Sequence, residues 1–254
     1  MQETYKIASD FRGNIGPHSL IINERANIDT CILLHQRWRD SIEDIQHHPY
    51  GALVRLACSS GAILVASLHL PHAWHTDADS IYEECLNELE AIIMAHNARD
   101  CYIAVDANVE FSCETPLVCG MAVTGAAPSF RESCFAQFCS RLGLYATNTF
   151  TLHPLPTHFG VGLQAGRERQ IDYVLASRNG VSGRARPDIA FGSDHVAVIA
   201  TSPSFVPARR YFEKRPRRID TVSYTHLTPP TTYPLQTPAL AASLDNNTHT
   251  THLR

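Results

Sequence analysis

The sequence lacks several features that mark other classes of protein. No uninterrupted apolar run approaches the roughly 18 residues that a membrane span needs, and residues 1–30 contain no secretory apolar segment. The net charge is only −4, so contact with nucleic acid would depend on local basic patches. The four cysteines between residues 113 and 139 lack the Cys-x-x-Cys spacing of zinc sites, and the four before them lie in apolar segments. We therefore expect an intracellular protein with free thiols and no membrane contact.

The composition divides the chain into three segments. With 44% hydrophobic and 18% charged residues the chain can bury a core, and its apolar runs predict one domain over residues 1–203. Residues 204–221 are basic, and we interpret them either as a solvated linker or as an arm that contacts nucleic acid. Residues 222–254 contain eight Thr, four Pro and no apolar periodicity, so we expect a disordered or artefactual tail.

Hydrophobic periodicity within the first segment alternates between strands and helices. Short apolar runs predict strands at 32–34, 53–56, 62–70, 101–105, 171–176 and 195–200. Helical spacing predicts a helix over 80–96 with a Ser80–Glu83 capping box, and a second helix capped by Ser129 and Glu132. Hairpins mixed with crossover helices predict an α/β fold, a layered sandwich of two mixed, mainly antiparallel sheets flanked by helices.

Polar side chains interrupt these strands where each strand ends. They are His69, Asp106 with Asn108, Asp172, and Asp194 with His195. Strand ends in a layered sheet converge at one rim, so we expect these side chains to reach a common ligand. Carboxylate and amide oxygens suit a hard divalent cation, and imidazoles can contact a phosphate. We do not expect His69, His72 and His75 to bind a transition metal, because on a strand leading into Pro71 they would not share one face.

Several motifs, in this order, resemble those of the endonuclease/exonuclease/phosphatase superfamily. Residues 1–4 are similar to its Leu-Gln-Glu-Thr motif, and residues 67–71 are similar to the strand that carries its phosphate-contacting histidine. Residues 105–108 resemble its Gly-Asp-x-Asn motif, and residues 157–158 resemble its Thr-Trp or Thr-His pair. Residues 170–173 resemble its Arg-Ile-Asp-Tyr motif, and residues 193–195 resemble its Ser-Asp-His motif. The glycine of Gly-Asp-x-Asn is Val105 here. Within the superfamily, the chain most resembles the endonuclease domain of non-LTR (LINE-type) retrotransposons.

The resemblance implies a role in phosphodiester hydrolysis for each matching residue. Asp172 would hydrogen-bond His195 and stabilise its imidazolium form. His69 would contact the scissile phosphate, and a role as acid to the leaving oxygen stays open. Asp106 would polarise or deprotonate the attacking water, which Asn108 would orient. Whether Asp106 or His195 is the general base stays open at this point.

The resemblance also implies a metal site and a substrate site. Glu3 would hold Mg²⁺, for which Mn²⁺ can substitute, and Asp194 would either bind the metal or order the His195 loop. Thr157, His158 and Tyr173 would bind the substrate, with core packing beside Asp172 as the alternative for Tyr173. Superfamily members carry a first strand with a metal-binding Asn upstream of the Gln-Glu motif. Because nothing precedes Met1, we expect this first strand to be missing through truncation of the reading frame.

The implied function is Mg²⁺-dependent nicking of DNA by a monomeric endonuclease domain, nuclear if it belongs to a retrotransposon. Two alternatives remain open. A phosphatase or an RNA deadenylase of the same superfamily would use the same core residues with different rim loops. A decayed or truncated fragment would have no turnover.

Overall fold

The computed structural model describes residues 14–15, 18–22, 30–72, 77–121, 128–160, 166–177, 179–190, 192–202 and 206–208. All of them belong to one compact unit, Met1–Tyr211, and a second unit, Phe212–Arg254, contains no described residue. Glu3, the tail and most of the basic segment therefore lie outside the described residues. The segment boundaries inferred from composition stay predictions.

Strands dominate the described part of the chain. They are β1 Asn14–Ile15, β2 His18–Ile22, β3 Cys31–His35, β4 Ile42–His48, β5 Gly51–Leu56, β6 Ile63–His69, β7 Asp100–Asp106, β8 Tyr145–Ala146, β9 His158–Phe159, β10 Glu168–Arg169, β11 Asp172–Ala176, β12 Ser182–Arg186 and β13 Ala197–Thr201. The helices are α1 Ala78–Ala95 and α2 Phe130–Arg141, with 3₁₀ segments at Gln36–Ser41 and Thr147–Thr149. Neither α1 nor α2 is long and apolar enough to cross a membrane.

Six strands form the central sheet, in the order β4-β5-β6-β7-β11-β8. β6 and β7 are parallel, joined through α1, whereas β4/β5, β5/β6, β7/β11 and β11/β8 are antiparallel. A three-stranded antiparallel sheet, β1-β2-β3, and two hairpins, β9/β10 and β12/β13, account for the other strands. This mixed, mainly antiparallel pattern with helices confirms the predicted α/β class.

The central sheet is covered on both faces because its strands send alternate side chains into two apolar clusters. On one face Leu64 of β6 belongs to the same cluster as Leu89 of α1 and Phe135 of α2. On the other face Val54 of β5 belongs to the same cluster as Ile32 of β3. The helices, the central sheet and the smaller sheet therefore form successive layers.

One helix cap agrees with the sequence analysis and the other does not. The Ser129–Glu132 capping box is confirmed, with the side chain of each residue bonded to the backbone N–H of the other. The Ser80–Glu83 box is wrong, because α1 begins two residues earlier and its N-cap is Asp77. The Asp77 carbonyl already accepts the N–H of Ile81, so Ser80 lies inside the first turn and cannot cap it.

Candidate active site

Strand register brings three polar residues side by side at one edge of the central sheet. Asp106, the last residue of β7, pairs with His69 at the end of β6 and with Asp172 at the start of β11. Paired positions on neighbouring strands present their side chains on the same face. The Nε2 atom of His69 lies 3.6 Å from Oδ2 of Asp106. All three residues are buried, so they form a desolvated polar row rather than a solvated turn.

His195 joins this row from the loop before β13. Its Nδ1 lies 3.1 and 3.0 Å from the two carboxylate oxygens of Asp172. Its Nε2 lies 4.0 Å from Oδ2 of Asp106. The loop is held by a bond from the His195 N–H to Oγ of Ser193, at 3.1 Å, and by a β-bridge to His158. Asp172 thus orients the imidazole so that Nδ1 carries a proton and Nε2 faces Asp106.

The charges in this row shift two pKa values in the same direction. Burial by itself lowers the pKa of His195, but the hydrogen bond and charge of Asp172, with the charges of Asp106 and Asp194, raise it to about 9. Burial and the neighbouring charge of Asp172 raise the pKa of Asp106 above the usual carboxyl range, although His195 opposes the rise. At neutral pH the site therefore contains an imidazolium beside the carboxyl groups of Asp106 and Asp172.

His69 is neutral and is paired with a second histidine. Burial, with the charges of His72 and His195, lowers the pKa of His69 to about 4. Its Nε2 lies 3.1 Å from Nε2 of His72, with the ring centroids 5.0 Å apart. His72 was not among the residues predicted for the site, and its three-residue spacing from His69 is the one sequence signal of this contact. The third histidine of that triplet, His75, lies outside the described residues.

Asn108 ties the ends of two strands together. Its Nδ2 donates to the carbonyl of Leu70 at 2.7 Å, and its backbone N–H donates to Oδ1 of Asp106 at 3.0 Å. Its φ of 51° lies in the left-handed region, which Asn tolerates better than most residues. The side-chain N–H₂ therefore serves the loop after β6, and orientation of a water by Asn108 stays a prediction.

Two of the three residues expected to bind substrate lie inside the protein. Thr157 is 0% exposed, and its Oγ1 accepts the N–H groups of Ile171 and Asp172 at 3.1 and 3.0 Å. Tyr173 is 1% exposed, and its hydroxyl donates to the carbonyl of Gln170. This burial agrees with core packing of Tyr173, and contact of either side chain with the substrate stays a prediction. Thr157 anchors the start of β11 that carries Asp172, and Tyr173 packs in the core.

His158 and Asp194 lie beside His195, where the site is more open. Nε2 of His158 lies 3.4 Å from Oδ2 of Asp194, and the rings of His158 and His195 meet edge to face at 4.8 Å. Burial and the charge of His195 lower the pKa of His158. Both side chains keep some exposure, 15% for His158 and 33% for Asp194, so they can meet a ligand from solvent.

Two groups of described side chains could hold a metal ion. One contains Asp106, Asp172 and His195, and the other His158, Asp194 and His195; within each group the ligand atoms lie within 4.8 Å of one another. Carboxylate oxygens suit Mg²⁺ or Mn²⁺, whereas His195 could act as a ligand only after losing its proton. Burial, and after it the charge of Asp172, raise the pKa of Asp106, and a cation bound beside these two carboxyl groups would oppose both effects.

Sequence reasoning missed Asn148, which lies in the 3₁₀ segment Thr147–Thr149. It is 1% exposed, donates from Nδ2 to the Asp172 carbonyl at 3.0 Å and accepts the Val174 N–H on Oδ1 at 3.3 Å. It thus fixes the main chain of β11 at the residue that holds His195. The Thr-Asn-Thr sequence around it is typical of any turn and carries no signal of this role.

Comparison with known proteins identifies the fold. No protein-family model and no curated protein sequence matches the chain. The chain is similar to an AP endonuclease from Archaeoglobus fulgidus, with a TM-score of 0.55 and 12% identity, over 74% of this chain and 80% of that one. It is equally similar to the 3′ phosphatase NExo from Neisseria, with a TM-score of 0.54 and 14% identity over the same shares.

A third similar structure is the APE2 catalytic domain of Xenopus laevis, with a TM-score of 0.47 and 18% identity. The match covers 65% of this chain and 59% of that domain, so the chain spans less than two thirds of its length. The Archaeoglobus and Neisseria structures share their fold with this chain, with TM-scores above 0.5. Their similarity confirms the layered α/β architecture of this chain.

Proposed function

We propose that the chain is a Mg²⁺-dependent phosphodiesterase that nicks DNA, of the type found in non-LTR retrotransposons. The observation that carries the proposal is His195, held by both oxygens of Asp172 while its Nε2 faces Asp106 at 4.0 Å. This gap is too long for a direct hydrogen bond. An oxygen atom of a phosphate or a water would lie about 2.8 Å from both atoms, a normal hydrogen-bond distance, if it sat about 2 Å to the side of the line that joins them.

The pKa shifts favour Asp106 as the general base and His195 as the group that stabilises the phosphate. With a pKa of about 9, His195 is an imidazolium at neutral pH and offers a phosphoryl oxygen both a proton donor and a positive charge. The raised pKa of Asp106 makes it a stronger base at neutral pH than an ordinary carboxylate. His195 could act as the base only after losing its proton, and the negative charges of Asp172 and Asp106 stabilise the protonated form.

In the proposed reaction a water oxygen attacks the phosphorus in line with the leaving oxygen. The water passes its proton to Asp106, the bond from phosphorus to the leaving sugar oxygen breaks, and solvent protonates that oxygen. His69 is neutral with a pKa of about 4, so it would contact the phosphate as a hydrogen-bond donor rather than as an acid. A divalent cation bound by Asp194 and Glu3 would offset the charge of the phosphate and of the developing alkoxide.

Two further observations support DNA as the substrate. The Neisseria structure contains a product DNA hairpin, and the Archaeoglobus protein is an AP endonuclease. The segment 169–175 and the strand at 67–71 resemble those of retrotransposon endonuclease domains, which extends the proposal to a monomeric, nuclear enzyme. NExo is described as a 3′ phosphatase, so removal of a phosphate from a DNA 3′ end is the second candidate function.

Nicking of supercoiled plasmid in the presence of Mg²⁺ tests the proposal. We expect Asp106→Asn and His195→Ala each to lower the rate about 10²–10⁴-fold, the usual contribution of a positioned acid or base. Asp188→Asn is the matched control, because this exposed carboxylate pairs with Arg186 on β12.

Parallel assays measure phosphate release from a 3′-phosphorylated oligonucleotide and shortening of oligoadenylate. Phosphate release without nicking would favour the phosphatase, and shortening of oligoadenylate without either would favour the deadenylase. Absence of all three activities in a folded, Mg²⁺-loaded wild-type protein would contradict the proposal.

A further inference from the structure

A tyrosine from α1 reaches the main chain directly behind the site. Tyr82 is 0% exposed, and its hydroxyl donates to the carbonyl of Ala107 at 2.8 Å. Ala107 lies between Asp106 and Asn108, so this bond acts on the turn that carries both. Burial raises the pKa of Tyr82 well above its ordinary value, and the hydroxyl therefore stays a donor.

An arginine from α2 reaches the corresponding turn after β6. Arg131 donates from Nη1 to the carbonyl of Pro71 at 3.1 Å and from Nη2 to that of His72 at 3.4 Å. Its Nε donates to Asp79 on α1 at 2.7 Å, and its Cζ lies 5.1 Å from the ring centroid of Tyr82. The planar guanidinium suits this arrangement, since one rigid group binds two carbonyls and a carboxylate and stacks on a ring.

The ion pair with Asp79 does not by itself explain why Arg131 is buried. The Asp79 side chain is 62% exposed, whereas that of Arg131 is 7% exposed. A pair with so exposed a partner contributes little to stability and could form at the surface. Burial of the guanidinium instead brings it to the two carbonyls of the turn after β6, which would otherwise lack these donors.

The two turns are also bonded to each other. The Leu70 N–H donates to the Asp106 carbonyl at 2.9 Å, and Asn108 returns a bond to the Leu70 carbonyl at 2.7 Å. Tyr82 and Arg131, which we call the helix clamp, therefore hold a single bonded unit formed by the ends of β6 and β7. That unit carries His69 and Asp106.

We propose that the helix clamp is a pair of positioning residues that sets the separation of His69 and Asp106 during phosphodiester hydrolysis. This inference rests on the proposed function, and neither member of the clamp touches a reacting atom. A displacement of about 1 Å at a reacting group can lower a rate by about 10²-fold. Loss of the clamp should therefore lower kcat and leave KM for DNA nearly unchanged, because the strand-end geometry matters most in the transition state.

Two conservative variants test the inference. Tyr82→Phe removes only the hydroxyl that binds Ala107, and Arg131→Lys keeps the charge but cannot bind both carbonyls in the same way. Their controls are Tyr145→Phe and Arg141→Lys. The Tyr145 hydroxyl binds the Val181 main chain, and Arg141, on the same helix as Arg131, pairs with Glu90 of α1. Nicking is measured well below the melting temperature, so that every variant is fully folded. Hydrogen exchange of peptides containing residues 70–72 and 107–109 is measured on the same proteins.

We expect the two clamp variants to lower kcat by about 10- to 100-fold with less than a threefold change in KM, and the controls to match wild type. Exchange should accelerate in the two peptides for the clamp variants alone. Unchanged kcat with a lowered melting temperature would make the role purely structural and overturn the inference. If Arg131→Lys does not fold, Tyr82→Phe decides by the same criteria.

The exchange measurement separates this inference from the proposed function. A wild-type protein that does not nick DNA defeats the proposed function and with it the catalytic effect of the clamp. Faster exchange in the clamp variants would still show that Tyr82 and Arg131 hold the strand ends. Unchanged exchange at both peptides would refute the clamp itself.

Discussion

Replacement of Asp172 by Asn removes the charge that dominates the site while preserving the size of the side chain. The rise in the pKa of His195 from 6.5 to about 9 corresponds to roughly 3 kcal/mol of preferential interaction with the imidazolium. Among the groups that raise this pKa, Asp172 contributes most, through its hydrogen bond and its charge. Asp172→Asn should therefore return the pKa of His195 most of the way toward its ordinary value.

This shift also predicts how stability depends on pH. Because the pKa of His195 is higher in the folded protein, the folded state binds more protons than the unfolded chain between pH 6.5 and about 9. The stabilisation from His195 is thus complete below pH 6.5 and is lost as pH rises to about 9. In the presence of chelator, the melting temperature of wild type should fall across this window, and that of Asp172→Asn should fall much less.

The control and the kinetic test use the same proteins. Asp188→Asn should keep the wild-type slope, because its carboxylate pairs with Arg186, not with a histidine. Asp172→Asn should also lose about 10²–10⁴-fold in nicking rate, and the double variant with His195→Ala should be no worse than the poorer single variant, since the two residues act as one unit. A wild-type pH slope in Asp172→Asn, or multiplicative losses in the double variant, would refute this reasoning.

Nicking should require Mg²⁺ or Mn²⁺ and stop in excess chelator; undiminished cleavage would exclude the metal. Thr157→Val should leave the Ile171 and Asp172 N–H groups unpaired and lower the free energy of unfolding in urea by about 2–3 kcal/mol. Thr157→Ser should stay close to wild type, and equal stability of the two variants would contradict this role. Ser129→Ala should lower the free energy of unfolding by about 1 kcal/mol, because it removes the cap of α2. Ser133→Ala, which removes an exposed hydroxyl one turn later, should lower it less, and equal losses would mean that the cap does not stabilise the helix.

The sequence alone was sufficient for the fold class and for most of the polar row. Apolar runs mark strands because buried strands need continuous hydrophobic faces, and β5, β6, β7 and β11 each overlap a predicted run. His69, Asp106 and Asp172 come at the ends of these runs. Because strand ends meet at one edge of a sheet, the sequence predicts that these residues lie at a common edge. The sequence did not determine the N-cap of α1. Ser80 and Asp77 both precede a helical pattern, and the main-chain hydrogen bonds of the folded protein decide where the helix begins.

Register, orientation and burial were decided by the tertiary structure. The pairing of Asp106 with both His69 and Asp172 depends on hydrogen bonds between strands far apart in sequence, and a slip of one residue would reverse every side chain. Burial of Thr157 and Tyr173 follows from neighbours that no local pattern specifies. The roles of Tyr82 and Arg131 are likewise not specified by the sequence around them, which is typical of any helix. Their contacts with the strand ends exist only because α1 and α2 pack on one face of the central sheet.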